Sequence, residues 1–195
     1  MARPDLRDPR VLRAIAHPVR NRILTELDAS GPLRAADVAV RLGIPANQAS
    51  FHLRQLAKFG LVEEDPEAAR DKRDRVWKPT EESGYNVQLG EIEKTPGGKA
   101  AAAVFLRSKG AWAHHVVDQA FGQDRTPGVV RTVTEQAVRL TKDEVHQLTE
   151  ELTDVVEAWR LRTRDEQDDG RLTYMIFQIV QPYPCLLYTS PSPRD

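Results

Sequence analysis

The sequence predicts a mainly helical α+β chain, with short helices in its first third and long ones in its second half. Three features carry that expectation. Residues 35–58 read as two short helices broken at Gly43-Ile44-Pro45, and residues 61–78 read as two strands around a charged loop. Residues 99–121 and 141–164 carry apolar positions at helical spacing, and a β-branched stretch follows each of them. The 195 residues suffice for one domain with a good core or for two small ones.

Residues 1–8 are polar with alternating charge and read as a loose arm. From Pro9, the apolar Val11, Leu12 and Ile15 fit a short helix interrupted at His17-Pro18. Proline is tolerated at the first helical position and disfavoured inside, so Pro18 opens a second helix. There Val19, Ile23, Leu24 and Leu27 make one buried stripe, with Arg13, Arg20 and Arg22 lying off it. Ser30-Gly31-Pro32 then marks a turn. Ala36, Val38, Ala39 and Leu42 fit another short helix, ended by Gly43 in the left-handed cap position. Pro45 restarts the chain, and the helix over 46–59 ends at Gly60, with Ala49, Leu53 and Leu56 on its buried side.

Two helices joined by a short glycine-containing turn make a helix-turn-helix. In such a unit the second helix enters the DNA major groove with its N-terminal residues toward base edges. The outward residues here are Asn47, Gln48, Ser50, Phe51 and Arg54. Asn and Gln pair bidentately with adenine and Arg with guanine. Phe51 has two readings, packing on a thymine methyl or on the protein, and His52 has two, a phosphate contact or a structural histidine. After Gly60, residues 61–64 and 75–78 read as strands flanking a loop over 65–74. That is the wing of a winged helix, and Arg70, Lys72, Arg73 and Arg75 are the residues expected to reach phosphates or the minor groove. Charge agrees with this placement. Residues 1–62 hold ten Lys/Arg against five Asp/Glu, whereas residues 81–184 hold twelve against seventeen, which suits a polyanionic partner at one end.

The segments LRAIAHPVRNRILTEL, ADVAVRLGIPANQASFHLRQLAKFGLVEE and VWKPT carry a resemblance. With the His-Pro-x-Arg step at His17 to Arg20, Ser-x-His-Leu at Ser50 to Leu53 and Leu-x-x-x-Gly-Leu-Val at Leu56 to Val62, residues 9–80 resemble the winged-helix regulators of the ArsR type. The resemblance implies a DNA-binding transcriptional regulator. It also implies that the apolar helix over 99–121 pairs with its copy in a second subunit. Metal sensors of that type carry a cysteine-based site whose matching positions here are Arg34 and Ala36, so the resemblance points to a branch that does not sense metals. A hard-ligand set drawn from His114, His115 and Asp118, or from Asp143 and His146, reads instead as ordinary helix surface.

Beyond residue 80 the reading rests on pattern. Residues 81–98, broken at Pro96-Gly97-Gly98, are expected to be a linker with at most a short strand. The region 99–184 is expected to supply dimerisation and an effector site. Within it, 99–121 is alanine-rich and helix-favouring, with a wide apolar face that includes Val104, Phe105, Trp112, Val116, Val117 and Phe121. Residues 131–140 read as a strand. Thr141 to Glu144 has the capping-box pattern, ahead of an amphipathic helix bearing Val145, Leu148, Leu152, Val155, Val156 and Trp159. Residues 172–180 (LTYMIFQIV) read as a buried strand.

The last eleven residues, CLLYTSPSPRD, resemble one translated frame of a transposase sequencing adapter, and residues 185–195 are read as extraneous. On that reading the native chain continues past Pro184 and Cys185, the single cysteine, does not belong to it. The rest then offers no disulfide, thiolate metal site or cysteine nucleophile. No signal peptide or long apolar run is present, so a cytoplasmic protein without membrane contact is expected. No phosphate loop, nucleophile elbow or His-Glu-x-x-His occurs, so neither an enzyme nor a cofactor is expected.

The function expected is a sequence-specific regulator, a repressor, that binds a palindromic operator as a homodimer and is switched by a non-metal signal such as a small-molecule effector. Two alternatives stand beside it. One is a ligand-binding C-terminal domain with accessory DNA binding, and the other a winged helix used for protein contact.

Overall fold

The computed structural model describes residues 5–69, 75–80, 85–122, 126–164 and 170–182. Helix α1 (Pro9–Ile15) begins where the Asp8 carboxylate accepts from the Arg10 N–H at 2.7 Å, with Pro9 in the first turn. Helix α2 (Pro18–Ser30) follows, with His17 at its N-cap and Pro18 in the position that needs no N–H donor. Strand β2 (Leu33–Arg34) leads into α3 (Ala35–Leu42), and α4 (Ala46–Lys58) completes the helix pair. Strands β3 (Val62–Glu64) and β4 (Val76–Pro79) are antiparallel, with Glu63 opposite Lys78. On the far side of β4 lies β2, so the sheet order is β2-β4-β3. Helices α1–α4 and this sheet thus form a winged helix-turn-helix within a mainly helical α+β chain.

The two helices of the helix-turn-helix end in the same way. Gly43 sits at φ +64°, its N–H bonds the Val40 carbonyl at 3.2 Å, and the Ile44 N–H bonds the Ala39 carbonyl at 3.0 Å. Gly60 and Leu61 repeat that pair of bonds onto Ala57 and Leu56, at 2.9 and 3.1 Å. Each is a Schellman motif, which satisfies the last carbonyls of a helix and turns the chain away sharply. The fully buried side chains of Leu12, Ile23, Leu27, Val38, Leu53, Leu56 and Leu61 make one core. Their burial, at roughly 2 kcal/mol per side chain before entropic costs, is what seats α4 on α2 and α3.

Two expectations need correction at the edges of this unit. The arm is not loose where it is described: β1 (Asp5–Leu6) pairs in parallel with β5 (Asn86–Val87), and Leu6 is buried. The segment expected to be a linker with a short strand holds that strand and, beyond the expectation, a short helix. It contains β5 and α5 (Leu89–Glu93), whose Ile92 is completely buried in the same core. An apolar Leu89/Ile92 pair at helical spacing within a polar stretch buries more surface by docking than by staying solvated. Residues 81–84 lie outside the described part.

Helix α6 (Gly98–Phe121) has two halves with different surroundings. Its start is packed, with Ala101, Ala102 and Phe105 buried, the Ser108 hydroxyl donating to the Ala16 carbonyl at 2.6 Å and the Lys109 ammonium donating to Asn21 Oδ1 at 2.5 Å. Its end projects from the core, leaving Val117 and Phe121 exposed. Helix α7 (Lys142–Thr163) starts at the expected capping box, in which Thr141 and Glu144 exchange hydrogen bonds, and Arg160 near its end donates to the Asp28 carbonyl of α2 at 2.9 Å.

The strands expected over 131–140 and 172–180 are not formed. A strand is stabilised by its neighbour's backbone and by a covered face, and neither segment has a ladder partner among the described residues. Val133, Val138, Ile176 and Ile179 are accordingly exposed. The segments 165–169 and 183–195, the latter with the adapter-like tail and Cys185, lie outside the described residues.

Candidate nucleic-acid interface

Helix α4 separates its side chains cleanly. Ala49, Leu53 and Leu56 are fully buried, whereas Asn47, Gln48, Phe51 and Arg54 are exposed and Ser50 is half-buried. Because positions 47, 51 and 54 recur at helical spacing, the exposed set forms one stripe beginning in the first turn. Pro45 precedes that turn at the N-cap, and its carbonyl accepts from the N–H groups of Gln48 and Ala49 at 3.0 and 3.1 Å. The Asn47 side-chain oxygen accepts from the Gln48 N–H at 2.9 Å, which fixes how Asn47 is presented. The side chains of Gln48 and Arg54 have no intramolecular partner among the described residues. Phe51 is 49% exposed, and its ring packs edge-on against His52 with centroids 5.2 Å apart.

His52 lies on the other side of the helix. It is buried, which removes it from phosphate reach, and its ring centroid stands 4.7 Å from that of His17 at the start of α2. Neither imidazole Nδ1 has a hydrogen-bond partner among the described residues. Burial pushes both histidines below the ordinary 6.5, reinforced for His17 by the Arg20 guanidinium and for His52 by His17 and Arg20. Both rings are therefore neutral at pH 7, and the junction of α2 and α4 rests on two uncharged imidazoles. The sequence contains both motifs but not their meeting, since the residues are far apart in the chain. The only available signal was a histidine at a position that helical periodicity assigns to the inner face.

The wing is held by Val76 and Trp77 of β4, both of them buried. Arg75 is exposed and lies 3.6 Å from the Glu64 carboxylate, and Lys78 reaches Glu63 at 3.8 Å and Asp65 at 3.6 Å. Surface pairs of this kind are worth at most about 1 kcal/mol, so a phosphate can compete for these cations. Arg70, Lys72 and Arg73 lie outside the described residues.

Of the two positions where a metal-sensing relative would carry cysteines, Arg34 and Ala36, the first instead starts α3 together with Asp37. The Asp37 carboxylate accepts from the Arg34 backbone N–H at 3.1 Å and from its guanidinium at 2.8 and 2.9 Å. Those bonds hold the Asp37 pKa below the ordinary carboxylate value against the opposing effect of burial. His114, His115, Asp118, Asp143 and His146 are all exposed, and the His115 ring stacks beside Trp112 with centroids 5.4 Å apart. Among the described residues no three His, Cys, Asp or Glu side chains converge on a common point. Among the described residues no helix is long and apolar enough to cross a membrane.

Residues 15–65 match the profile of a helix-turn-helix domain family. No curated protein matches the chain significantly. Among solved structures, the chain is similar to apo MarR from E. coli at 18% identity, over 75% of this chain and 87% of that one, with a TM-score of 0.34. It is similar to the transcriptional regulator Tm0710 from Thermotoga maritima at 14% identity, over 78% and 83%, with a TM-score of 0.31. A third is the MepR–DNA complex from S. aureus, at 18% identity over 73% and 78%, with a TM-score of 0.32.

Proposed function

We propose that this chain is a sequence-specific DNA-binding transcriptional regulator, an ArsR-like repressor of the branch that does not sense metals. One observation carries the reading: α4 is buried on one side and presents an unbroken stripe of Asn47, Gln48, Ser50, Phe51 and Arg54 on the other. Those are the residue types that read base edges, on the second helix of a matched helix-turn-helix domain. Arg75 and the sequence neighbours Arg70, Lys72 and Arg73 serve the flanking backbone.

In this reading the regulator is a homodimer on a palindromic operator, with half-sites about one helical turn apart. Support comes from the second half of the chain, where α7 has no fully buried residue and Val155, Trp159 and Leu161 are exposed along with Val117 and Phe121 of α6. Apolar area on that scale is normally covered, and an identical subunit covers it symmetrically. Domain roles follow, with residues 9–80 reading DNA and residues 99–184 dimerising and receiving the signal.

Fluorescence anisotropy with a labelled duplex from the gene's own upstream region, titrated at graded salt, tests the proposal. Binding should weaken steeply with salt. Arg54→Ala should relax preference at one base position, at a cost of about 1–3 kcal/mol. A folded protein that binds no duplex at low salt would overturn the reading.

A further inference from the structure

A groove of about 480 Å³ runs along the middle of α6, beside the end of α1 and the start of α2. Its volume is that of a site for a drug-sized molecule. From α6 come Val104, Arg107, Ser108, Ala111, Trp112 and His115, which fall three and four residues apart and so form a single stripe. Ile15, Ala16 and Pro18 close the opposite wall, with Asn21 and Arg22 above them.

The chemistry of this groove is one-sided. Its floor is aliphatic and aromatic, while its charged members are Arg22, Arg107 and Lys109, with no carboxylate among the described lining residues. Arg22 donates to the Leu42 carbonyl, Lys109 donates to Asn21 Oδ1, and Arg107 has no partner among the described residues. Lys109 is the telling member. It lies half out of water with its ammonium 5.6 Å from the centre of the Phe105 ring, and burial lowers its pKa because no anion offsets the lost hydration. A part-buried ammonium whose one hydrogen-bond partner among the described residues is a neutral amide is stabilised by any carboxylate that reaches it.

We propose that this groove binds an amphipathic organic anion, an aromatic or alkyl carboxylate whose apolar body lies against Val104, Ala111 and Trp112 and whose carboxylate meets Lys109. The occupant is the non-metal signal of the regulator reading, on which this second step rests. Ala16 and Pro18 of the groove wall flank His17, and the His17 ring packs on His52 of α4. A ligand pressing on that wall therefore bears on the residue that seats the recognition helix.

The two steps are tested separately. In protein without DNA, 2-naphthoate should quench the fluorescence of Trp112, and a Trp112→Phe protein identifies the responding residue by losing the signal. Binding followed calorimetrically should weaken roughly tenfold or more in Lys109→Gln, the loss expected for a charge-assisted hydrogen bond. Neutral 2-naphthalenemethanol should bind correspondingly more weakly than the acid. Ala111 is exposed, so Ala111→Phe fills the groove without disturbing the core and should abolish binding. Equal affinity in wild type, Lys109→Gln and Ala111→Phe would overturn the site, as would variants that change the oligomeric state and not naphthoate binding. In the anisotropy assay saturating naphthoate should lower DNA affinity, and unchanged affinity in a protein that binds both would overturn the coupling. A protein that binds naphthoate but no DNA would sink the regulator reading and leave the site standing.

Discussion

His17 and His52 show how a contact between two single residues can tie function to protonation. Each is held neutral by burial, next to the other and to Arg20. Because the folded-state pKa of each lies below the ordinary 6.5, the unfolded chain takes up protons at a higher pH than the folded one. Stability contributed by the neutral pair is therefore present above about pH 6.5 and is lost as pH falls below it. Thermal unfolding followed from about pH 7.5 to pH 5 should show this loss, and His52→Gln should flatten the slope. An unchanged slope in the variant would assign the pH dependence to other groups. Neither residue's inward orientation could be deduced from its motif. His-Pro reads as a helix start and Ser-x-His-Leu as part of a reading helix, and only the register of α4 against α2 brings the rings together.

Within α4, neighbouring positions divide the work between folding and recognition. Leu53 has no exposed surface and packs in the common core, while Arg54 faces solvent with no partner among the described residues. Leu53→Ala should therefore cost about 3 kcal/mol of unfolding free energy, whereas Arg54→Ala should stay within about 0.5 kcal/mol while altering DNA affinity. Urea denaturation of both variants separates the two effects, and a comparable loss in both would contradict the assignment of faces. The cap before α4 is equally specific: an added Cβ at Gly43 meets nothing within 4 Å, so Gly43→Ala is penalised by its left-handed backbone alone, by about 1–2 kcal/mol. This much was legible in the sequence, because periodicity, Gly and Pro act locally and α2, α3, α4, α6 and α7 all lie near their expected bounds. Pairings were less legible. β2 has only two residues and no alternation to betray it, and β1 exists only because β5 lies beside it. Segments 131–140 and 172–180 show the converse, since residue type favours a strand there but no neighbour is supplied within the described chain.

At the scale of the whole molecule, the two halves of the chain differ in how complete they are. The core of the N-terminal unit is closed with the help of Ile92 of α5 and of Ala101, Ala102 and Phe105 of α6, but α7 leaves Trp159 56% exposed and the end of α6 leaves Phe121 69% exposed. Light scattering coupled to size exclusion should find the chain at twice its monomer mass. The double change Val117→Asp with Phe121→Asp should shift it toward monomer and weaken DNA binding by removing the second half-site contact. A monomeric wild-type protein that still binds a two-half-site duplex tightly would contradict the dimer. The short pairing of residues 5–6 with residues 86–87 acquires its meaning at this scale. It fastens the beginning of the chain to the stretch that leads into α6, so the recognition helix lies inside a closed ring of backbone with a two-rung clasp. An open chain would let α6 lean freely relative to the reading head. A clasped one transmits the lean, and in the proposed dimer the distance between the two reading heads is then set in part by the first few residues of each chain.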